Sequence, residues 1–480
     1  MFYTRITAKV LLYFSLLVTA FIFSACGGGS SHNNLGASTT SGTTGSQGTP
    51  PGGTTTTSGG TGTTGSGTAG STGSGTTSGS GTTTGSGSGG STGSGGTGSG
   101  TGGGTGAQPS QVTFTQSHYK PSGLDIAAFP DVPGNDLVVT FDNGVNILVN
   151  HGDGTFGDTH ASFATGPNPV RIAIGDINGD GRPDIVTANH GNNTITVLYG
   201  QGGTFFSNAQ TITVGPANAR TNAVAIGDFD GDGHNDIAVT SDNVKGYFIV
   251  RNGGNNFFPV TFVAFQSNVL GDFAHHVAAG DINGDGLIDL ALLSTNNAGH
   301  NGFFVSVVEI INHTPKGSLF FSFEDKTLEV GTASSITLTD IDGNGTADYL
   351  LPYFANSPQA PQGITWIFNF PDGTRDKNGF VVADQGTTVG TRAVSGDLNS
   401  DGQNDIALIL FGDRFAVPDK ITYVLGKGNR TFTDRTDVSI GGRQGPQALI
   451  SAKLNNDQFS DLATTNTESE TVDVLLTQLK

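Results

Sequence analysis

Residues 175–186, GDINGDGRPDIV, set Asp176, Asn178, Asp180 and Asp184 at positions 1, 3, 5 and 9 of one loop, with Gly181 at position 6. Two unit charges about 4 Å apart at an effective dielectric near 20 repel by about 4 kcal/mol, so carboxylates crowded this closely need a cation. The chemistry that fits is a hard divalent ion such as Ca²⁺, which takes roughly six to eight oxygen ligands in a flexible shell. Glycine at position 6 permits the sharp turn that points those oxygens inward. Position 7 offers its backbone carbonyl by analogy with an EF-hand loop. The loop is not an EF-hand, because position 12 is Thr187 rather than Glu and strands flank it; Asp184 takes the part of the final carboxylate.

The phrase is written again as GDFDGDGHNDIA (Asp228, Asp230, Asp232, Asp236) and GDINGDGLIDLA (Asp281, Asn283, Asp285, Asp289). It returns as TDIDGNGTADYL (Asp340, Asp342, Asn344, Asp348) and GDLNSDGQNDIA (Asp397, Asn399, Asp401, Asp405). These five loops hold sixteen of the chain's 40 acids. If each binds calcium at about 10⁻⁴ M in about 1 mM calcium, mass action gives about 1.4 kcal/mol per loop and about 7 kcal/mol in all. That matches the whole stability of an ordinary domain. Two further copies are damaged: FPDVPGNDLVV from Phe129 has lost its spacing, while AKLNNDQFSDLA from Ala452 carries Lys453 for the first aspartate and Gln458 for the glycine. Both are expected to bind no metal. In the copy closing at Asp405, Ser400 replaces a glycine and weakens the site.

Elements must be supplied to hold these loops. The closing aspartates fall at 136, 184, 236, 289, 348, 405 and 461, a recurrence every 48–59 residues that marks stacked units. Each unit reads as four short strands separated by Gly, Asn and Asp turns, one antiparallel sheet. Seven such sheets set radially make an all-β, seven-bladed propeller. The last unit stops after its third strand, TVDVLLTQLK, and QVTFTQSHYKPSG from Gln111 supplies the missing fourth. The N-terminal strand near 112–119 is therefore expected to complete the last blade and close the ring.

These units resemble the FG-GAP or VCBS repeat family, the repeat of the integrin α-subunit propeller, over residues 111–480. The resemblance implies a calcium ion in each intact loop, with the closing aspartate among its ligands. It also implies that the position five residues ahead of each loop lies where the innermost strand enters, on the face opposite the ion loops. Those residues are Arg171, Ala223, His276, Ser335, Arg392 and Ala448. Arg171, His276 and Arg392 come from alternate blades and suit a carboxylate, sulfate or acidic sugar at the channel mouth, with His275 and Asn222 beside them. Phe156, Phe205, Phe257, Phe320, Phe380 and Phe432 follow glycine turns once per unit and read as inter-blade core; Trp366 is the one candidate sugar platform.

The remainder of the 480 residues reads as export and attachment. Residues 1–25 carry Arg5 and Lys9 before an apolar run, an export signal too short for a comfortable membrane span. They end at Cys26, the chain's sole cysteine, in a phrase that resembles a bacterial lipoprotein lipobox; Gly27 after it fits the outer membrane or cell surface. With one thiol no internal disulfide forms. Residues 26–110, nearly all Gly, Ser and Thr, cannot bury enough apolar surface to order and read as a tether. A formal charge of −19, or −21 once Arg5 and Lys9 leave with the signal, argues against nucleic acid as a partner. No metalloprotease or serine-hydrolase motif appears. The expectation is a monomeric, lipid-anchored module for adhesion to a glycan or extracellular protein, bound structurally by about five Ca²⁺. The alternative is a polysaccharide-active or phosphodiester-cleaving enzyme on a similar propeller. Either site is expected in the long stretch holding STNNAGHNGFF.

Overall fold

The computed structural model describes residues between Ser110 and Thr477, apart from 116–125, 131–134, 204, 207–208, 255–257, 266–272, 297–303, 315–322, 329–332, 354–361, 383–387, 413–417 and 441–444. The expected signal, Cys26, the tether up to 109 and most of STNNAGHNGFF therefore lie outside the described residues.

Seven four-stranded antiparallel sheets make up the described fold. Six run consecutively, as blade 1 (126–164), blade 2 (169–213), blade 3 (220–264), blade 4 (273–328), blade 5 (337–382) and blade 6 (388–439). Blade 7 takes three strands from 446–476 and its outermost from Ser110–Thr115, in register from Ser110 opposite Leu476 to Thr115 opposite Thr471. The expected closure of the ring by the N-terminal strand is therefore present; 116–119 fall outside the description. The innermost strands touch their neighbours all the way round, including blade 7 against blade 1.

Packing explains why the strands read as they do. Each pair of adjacent blades encloses one hydrophobic cluster, and the seven clusters complete a circuit. Middle strands are covered on both faces, so Asp184–Asn189 and Thr194–Leu198 are buried throughout. Alternation survives only toward the margins of each sheet.

Two aromatic expectations need correction. Phe205 is 73% exposed, and Phe206 packs instead, edge-on to Phe129 at 5.4 Å and Phe163 at 5.0 Å. The two turns match in length: Gly200 bridges to Phe206 as Gly426 bridges to Phe432, so the second phenylalanine of GQGGTFF holds the packed place. Trp366 is 6% exposed in the blade 5–6 cluster, edge-on to Phe432 at 4.9 Å, and offers no surface platform. Phe156 and Phe432 pack between blades as expected; the side chains of Phe257, Phe320 and Phe380 lie outside the description.

Removing residues 110–115 would leave the edge of Thr471–Leu476 unpaired. The expected outcome is a melting temperature lower by roughly 5 °C or more in calorimetry. Deleting 30–100 instead leaves it unchanged.

Candidate functional site

The closing aspartate organises every loop. Asp184 is fully buried; its Oδ2 accepts the N–H groups of Ile177 (2.8 Å) and Asn178 (3.2 Å), and its Oδ1 accepts that of Gly200 at the end of the third strand (2.8 Å). The Oδ1 bond to the end of the third strand recurs at Asp136, Asp236, Asp289, Asp348, Asp405 and Asp461, with Asn150, Asn252, Asn312, Asn369, Gly426 and Thr477 donating. The damaged first and last copies keep it, so this carboxylate holds the blade together whether or not its loop has a full ligand set.

The other loop oxygens are arranged by the turn. Asp176 accepts N–H bonds from Gly179 (2.7 Å), Asp180 (3.2 Å) and Gly181 (2.8 Å), and Asp180 accepts one from Arg182 (2.9 Å). Asp281 and Asp340 repeat the first pattern in full, and Asp397 keeps the bonds from Asp401 and Gly402. Positions 4 and 6 both require positive φ, as at Gly179 (76°) and Gly181 (79°), although the sequence reading marked only position 6. Ser400 adopts φ 59° at position 4 of its loop, a strained choice for a residue with a side chain. These N–H bonds neutralise part of the charge, so the loops form without the unrelieved repulsion expected from their acids alone.

Whether an ion fits can be judged from the ligand atoms. Carboxylate oxygens of Asp228, Asp230 and Asp236 lie within 4.8 Å of one another, as do those of Asp340, Asp342 and Asp348. Each oxygen has a second lone pair beyond its N–H bond, so these two loops can hold a divalent cation through positions 1, 3 and 9. In blades 2, 4 and 6 position 3 is an asparagine, Asn178, Asn283 or Asn399, whose amide donates to the position-5 carboxylate of Asp180, Asp285 or Asp401 at 3.0–3.2 Å. In blade 3, Arg251 enters the loop: its Nε bonds Asp230, and another guanidinium nitrogen stands 3.6 Å from Asp232. Asn344 at position 5 of blade 5 donates to the carbonyl of Asn369 at 2.8 Å.

Loops of neighbouring blades are also tied to one another. The side chains of Asn235 and Asn404 donate to the carbonyls of Asp176 and Asp340 in the preceding blades, at 2.9 and 3.0 Å. The Asn252 side chain bonds the carbonyl of Ile177, and Asn312 that of Phe229 at 2.9 Å. Sequence reading missed these asparagines. Their signal was a recurring Asn at the end of the third strand, as in LVN, IVRN, IIN and IFN.

On the opposite face, Arg171 and His276 stand on the innermost strands Pro169–Gly175 and Phe273–Gly280, and Arg392 on Thr388–Gly396. Burial, then the charges of Arg171 and Arg392, hold His276 well below its ordinary pKa, so all three groups act on one another. A bulge falls at this entry in blades 2, 3, 4, 6 and 7 and re-aims the side chains there. Asn222 and His275, expected beside the ring, instead converge on Asp242 of blade 3. Asn222 bonds Asp242 at 2.9 Å, His275 at 3.2 Å, and His190 of blade 2 at 2.9 Å. The two histidines hold the Asp242 carboxyl below the usual range against the effect of burial.

Between blades 5 and 6 lies a cavity of about 320 Å³, bordered by Asp342, Asn344, Phe370, Asn404, Arg430 and Phe432. Arg430 sits over the Phe370 ring at 4.7 Å. This pocket was not legible beforehand, since its walls come from four separate segments of blades 5 and 6.

Fold and loops together define a seven-bladed β-propeller with one acidic loop per blade. A profile described as the FG-GAP-like repeat matches residues 134–187, 176–239 and 228–292, and the chain is an FG-GAP repeat propeller. No curated protein matches it significantly. Among solved structures it is similar to BBS1N, in complex with ARL6DN and soaked with lead, at 10% identity and a TM-score of 0.50, covering 78% of this chain and 99% of that one. It is also similar to an Agrocybe aegerita lectin recognising non-reducing terminal N-acetylglucosamine, at 22% identity and a TM-score of 0.43, covering 69% of this chain and 80% of that one. At these identities the likeness concerns the fold.

Burial raises the closing carboxyls against their N–H bonds: Asp289 to about 6, Asp348, Asp405 and Asp461 to about 7, and Asp236 to about 8. The folded, metal-stripped chain thus keeps protons that the unfolded chain has released, and linkage makes its stability fall as pH rises from about 4 to about 8. Denaturant melts across that range should show this slope, and millimolar calcium should flatten it by taking the protons' place. A metal-stripped protein that grows more stable over the same interval contradicts the assignment.

Proposed function

We propose that this propeller is a calcium-stabilised binding and adhesion module, carried on a lipid anchor at Cys26 and recognising a glycan or protein partner. The observation that carries this reading is the recurrence of one loop skeleton in the described loops of blades 2 to 7. Asp461 holds Leu454 and Thr477 in the copy where Lys453 has replaced the first ligand, as Asp184 holds Ile177 and Gly200 in an intact one. Groups repeated so regularly serve the ring, and any recognition site must be singular.

The residues that would hold calcium are those of the five intact loops, from Asp176 to Asp405. Bound there, the ion supplies charge neutralisation and ties positions 1, 3, 5 and 9 of each loop together. The ties between blades 2 and 3, 3 and 4, and 5 and 6 would pass that stiffness to neighbouring blades. The singular feature is the cavity between blades 5 and 6. It combines an aromatic ring, Phe370, with amides and a carboxylate from Asn344, Asn404 and Asp342, the mixture of apolar wall and a few placed polar groups that a small ligand needs. Removal of the signal and lipidation of Cys26 would place this module at the outer membrane or cell surface, with residues 26–110 as the tether.

Elemental analysis of the purified protein is expected to find up to five calcium ions per chain, and Asp228→Asn to remove one of them. Glycan and extracellular-matrix arrays, run with calcium and with chelator, are expected to give calcium-dependent binding. Arg430→Gln, which removes the guanidinium over Phe370, is expected to weaken it about tenfold, in the range of a cation–π contact with its neighbouring bonds. Absence of bound calcium, or array binding untouched by both chelator and Arg430→Gln, contradicts the proposal.

A further inference from the structure

We infer that Arg251 is a built-in competitor for the cation of the blade 3 loop: it holds the position-3 carboxylate of Asp230, so calcium must displace it and binds there more weakly than four acids would allow. The inference rests on the reading of the intact loops as calcium sites and concerns how one of them is tuned.

The repeat singles this residue out. Just ahead of the third-strand group that bonds each closing aspartate, the other six blades carry Val149, Tyr199, Ile311, Phe368, Leu425 and Leu476. Five of these pack into the inter-blade clusters, and Ile311 is buried. Blade 3 puts a charge there, Arg251. Blade 3 also holds the one intact loop with four acids, Asp228, Asp230, Asp232 and Asp236, where the others have three each. The extra acid and the arginine at an otherwise apolar position fall in the same blade.

Geometry joins them. The guanidinium Nε bonds Oδ2 of Asp230, and Nη2 stands 3.6 Å from Asp232. Asp230 is fully buried, and its Oδ1 accepts the N–H of Asp232 at 3.1 Å. Both of its oxygens are therefore engaged before any ion arrives. The Arg251 side chain is 17% exposed and leaves from an anchored stretch of backbone. Its own N–H bonds the carbonyl of Pro259 at 3.0 Å, and that of Asn252 bonds Asp236 at 2.7 Å.

Two consequences follow from charge. A buried carboxylate stripped of its charged partner is costly, so the arginine serves the loop whenever no ion is present. A divalent ion brings twice the charge to the same oxygens and can displace it, whereas a monovalent ion gains nothing by the exchange. In blades 2, 4 and 6 the hydrogen given to the position-5 acid comes from a neutral amide, which yields to an ion at lower cost than a charged donor does.

The test is a calcium titration of the chelator-stripped full chain by calorimetry, beside melting temperatures in chelator and in millimolar calcium. Arg251→Gln is expected to tighten one site about tenfold, the weight of one hydrogen bond to a charged group, with the number of sites unchanged. Adding Asp228→Asn to that variant should remove the tightened site and so assign it to blade 3. In chelator Arg251→Gln should melt several degrees below the parent, and calcium should close the gap. Asp230→Asn with Arg251→Gln lowers the blade 3 loop to three acids and guards against a folding failure; it should melt with the parent in chelator. If Arg251→Gln leaves every calcium affinity unchanged or weakens one, the inference is overturned. A melting loss that neither calcium nor Asp230→Asn repairs overturns it too, because Arg251 then only packs. In those cases a parent that binds calcium keeps the calcium reading standing, and a parent that binds none takes both down.

Discussion

A buried carboxylate that accepts backbone N–H groups from two places at once is the interaction on which this fold depends. Asp184 joins the acidic loop to the end of the third strand, across the whole width of the inner sheet. A neutral side chain there would leave two or three buried N–H groups with weaker partners or none. The cost of the arrangement is equally plain, because burial drives these carboxyls toward protonation. A cation in the five intact loops, as proposed, would resolve the conflict there by keeping the carboxyl charged. Metal and fold are thus two answers to the same electrostatic problem.

This view separates what the chain spells out from what it conceals. The blade number, the four-stranded sheets and the borrowed N-terminal strand were legible because each is a repetition, and a repeated phrase reveals its own period. The loop residues were legible because Asp, Asn and Gly at fixed offsets have few other uses. The role of the closing aspartate was misjudged in part: the reading treated it as the last ligand, and its first task is to hold backbone. That task is invisible in a single loop, since its partner, such as Asn252 or Gly426, arrives 16 or 21 residues later by a turn of variable length. Phe205 was mistaken for Phe206 because GQGGTFF offers two adjacent phenylalanines, and the packed one is the residue bridged to Gly200 across the turn.

Positions that break the repeat carry the information about function. At the entry to the innermost strand, the level with Arg171, His276 and Arg392 alternates with alanine and serine, although no packing rule demands a charge there. The pocket between blades 5 and 6 is likewise a local departure, formed where Arg430 leans over Phe370. The first was legible in the pattern, as a repeated position whose residue changes; the pocket was not, because pattern describes what blades share.

The loops themselves differ in a way that bears on the ring. Where position 3 is asparagine, its amide donates to the acid at position 5 and relieves one contact between like groups. Where position 3 is Asp230, four carboxylates meet, and Arg251 supplies a charge from within the chain. Burial holds the Asp342 carboxyl above its ordinary pKa, and the charge of Arg430 opposes that rise in the same sense. Each extra acid at position 3 is therefore answered by an arginine arriving from a later turn. An internal guanidinium stabilises the loop at any calcium concentration, but it also occupies oxygens that an ion would use. With calcium bound as proposed, the blades would be unequal: those with asparagine at position 3 would lean more on the metal, and those with aspartate carry part of their counter-charge with them. Such inequality would let the ring remain closed when calcium falls, with some of its fastenings independent of the ion.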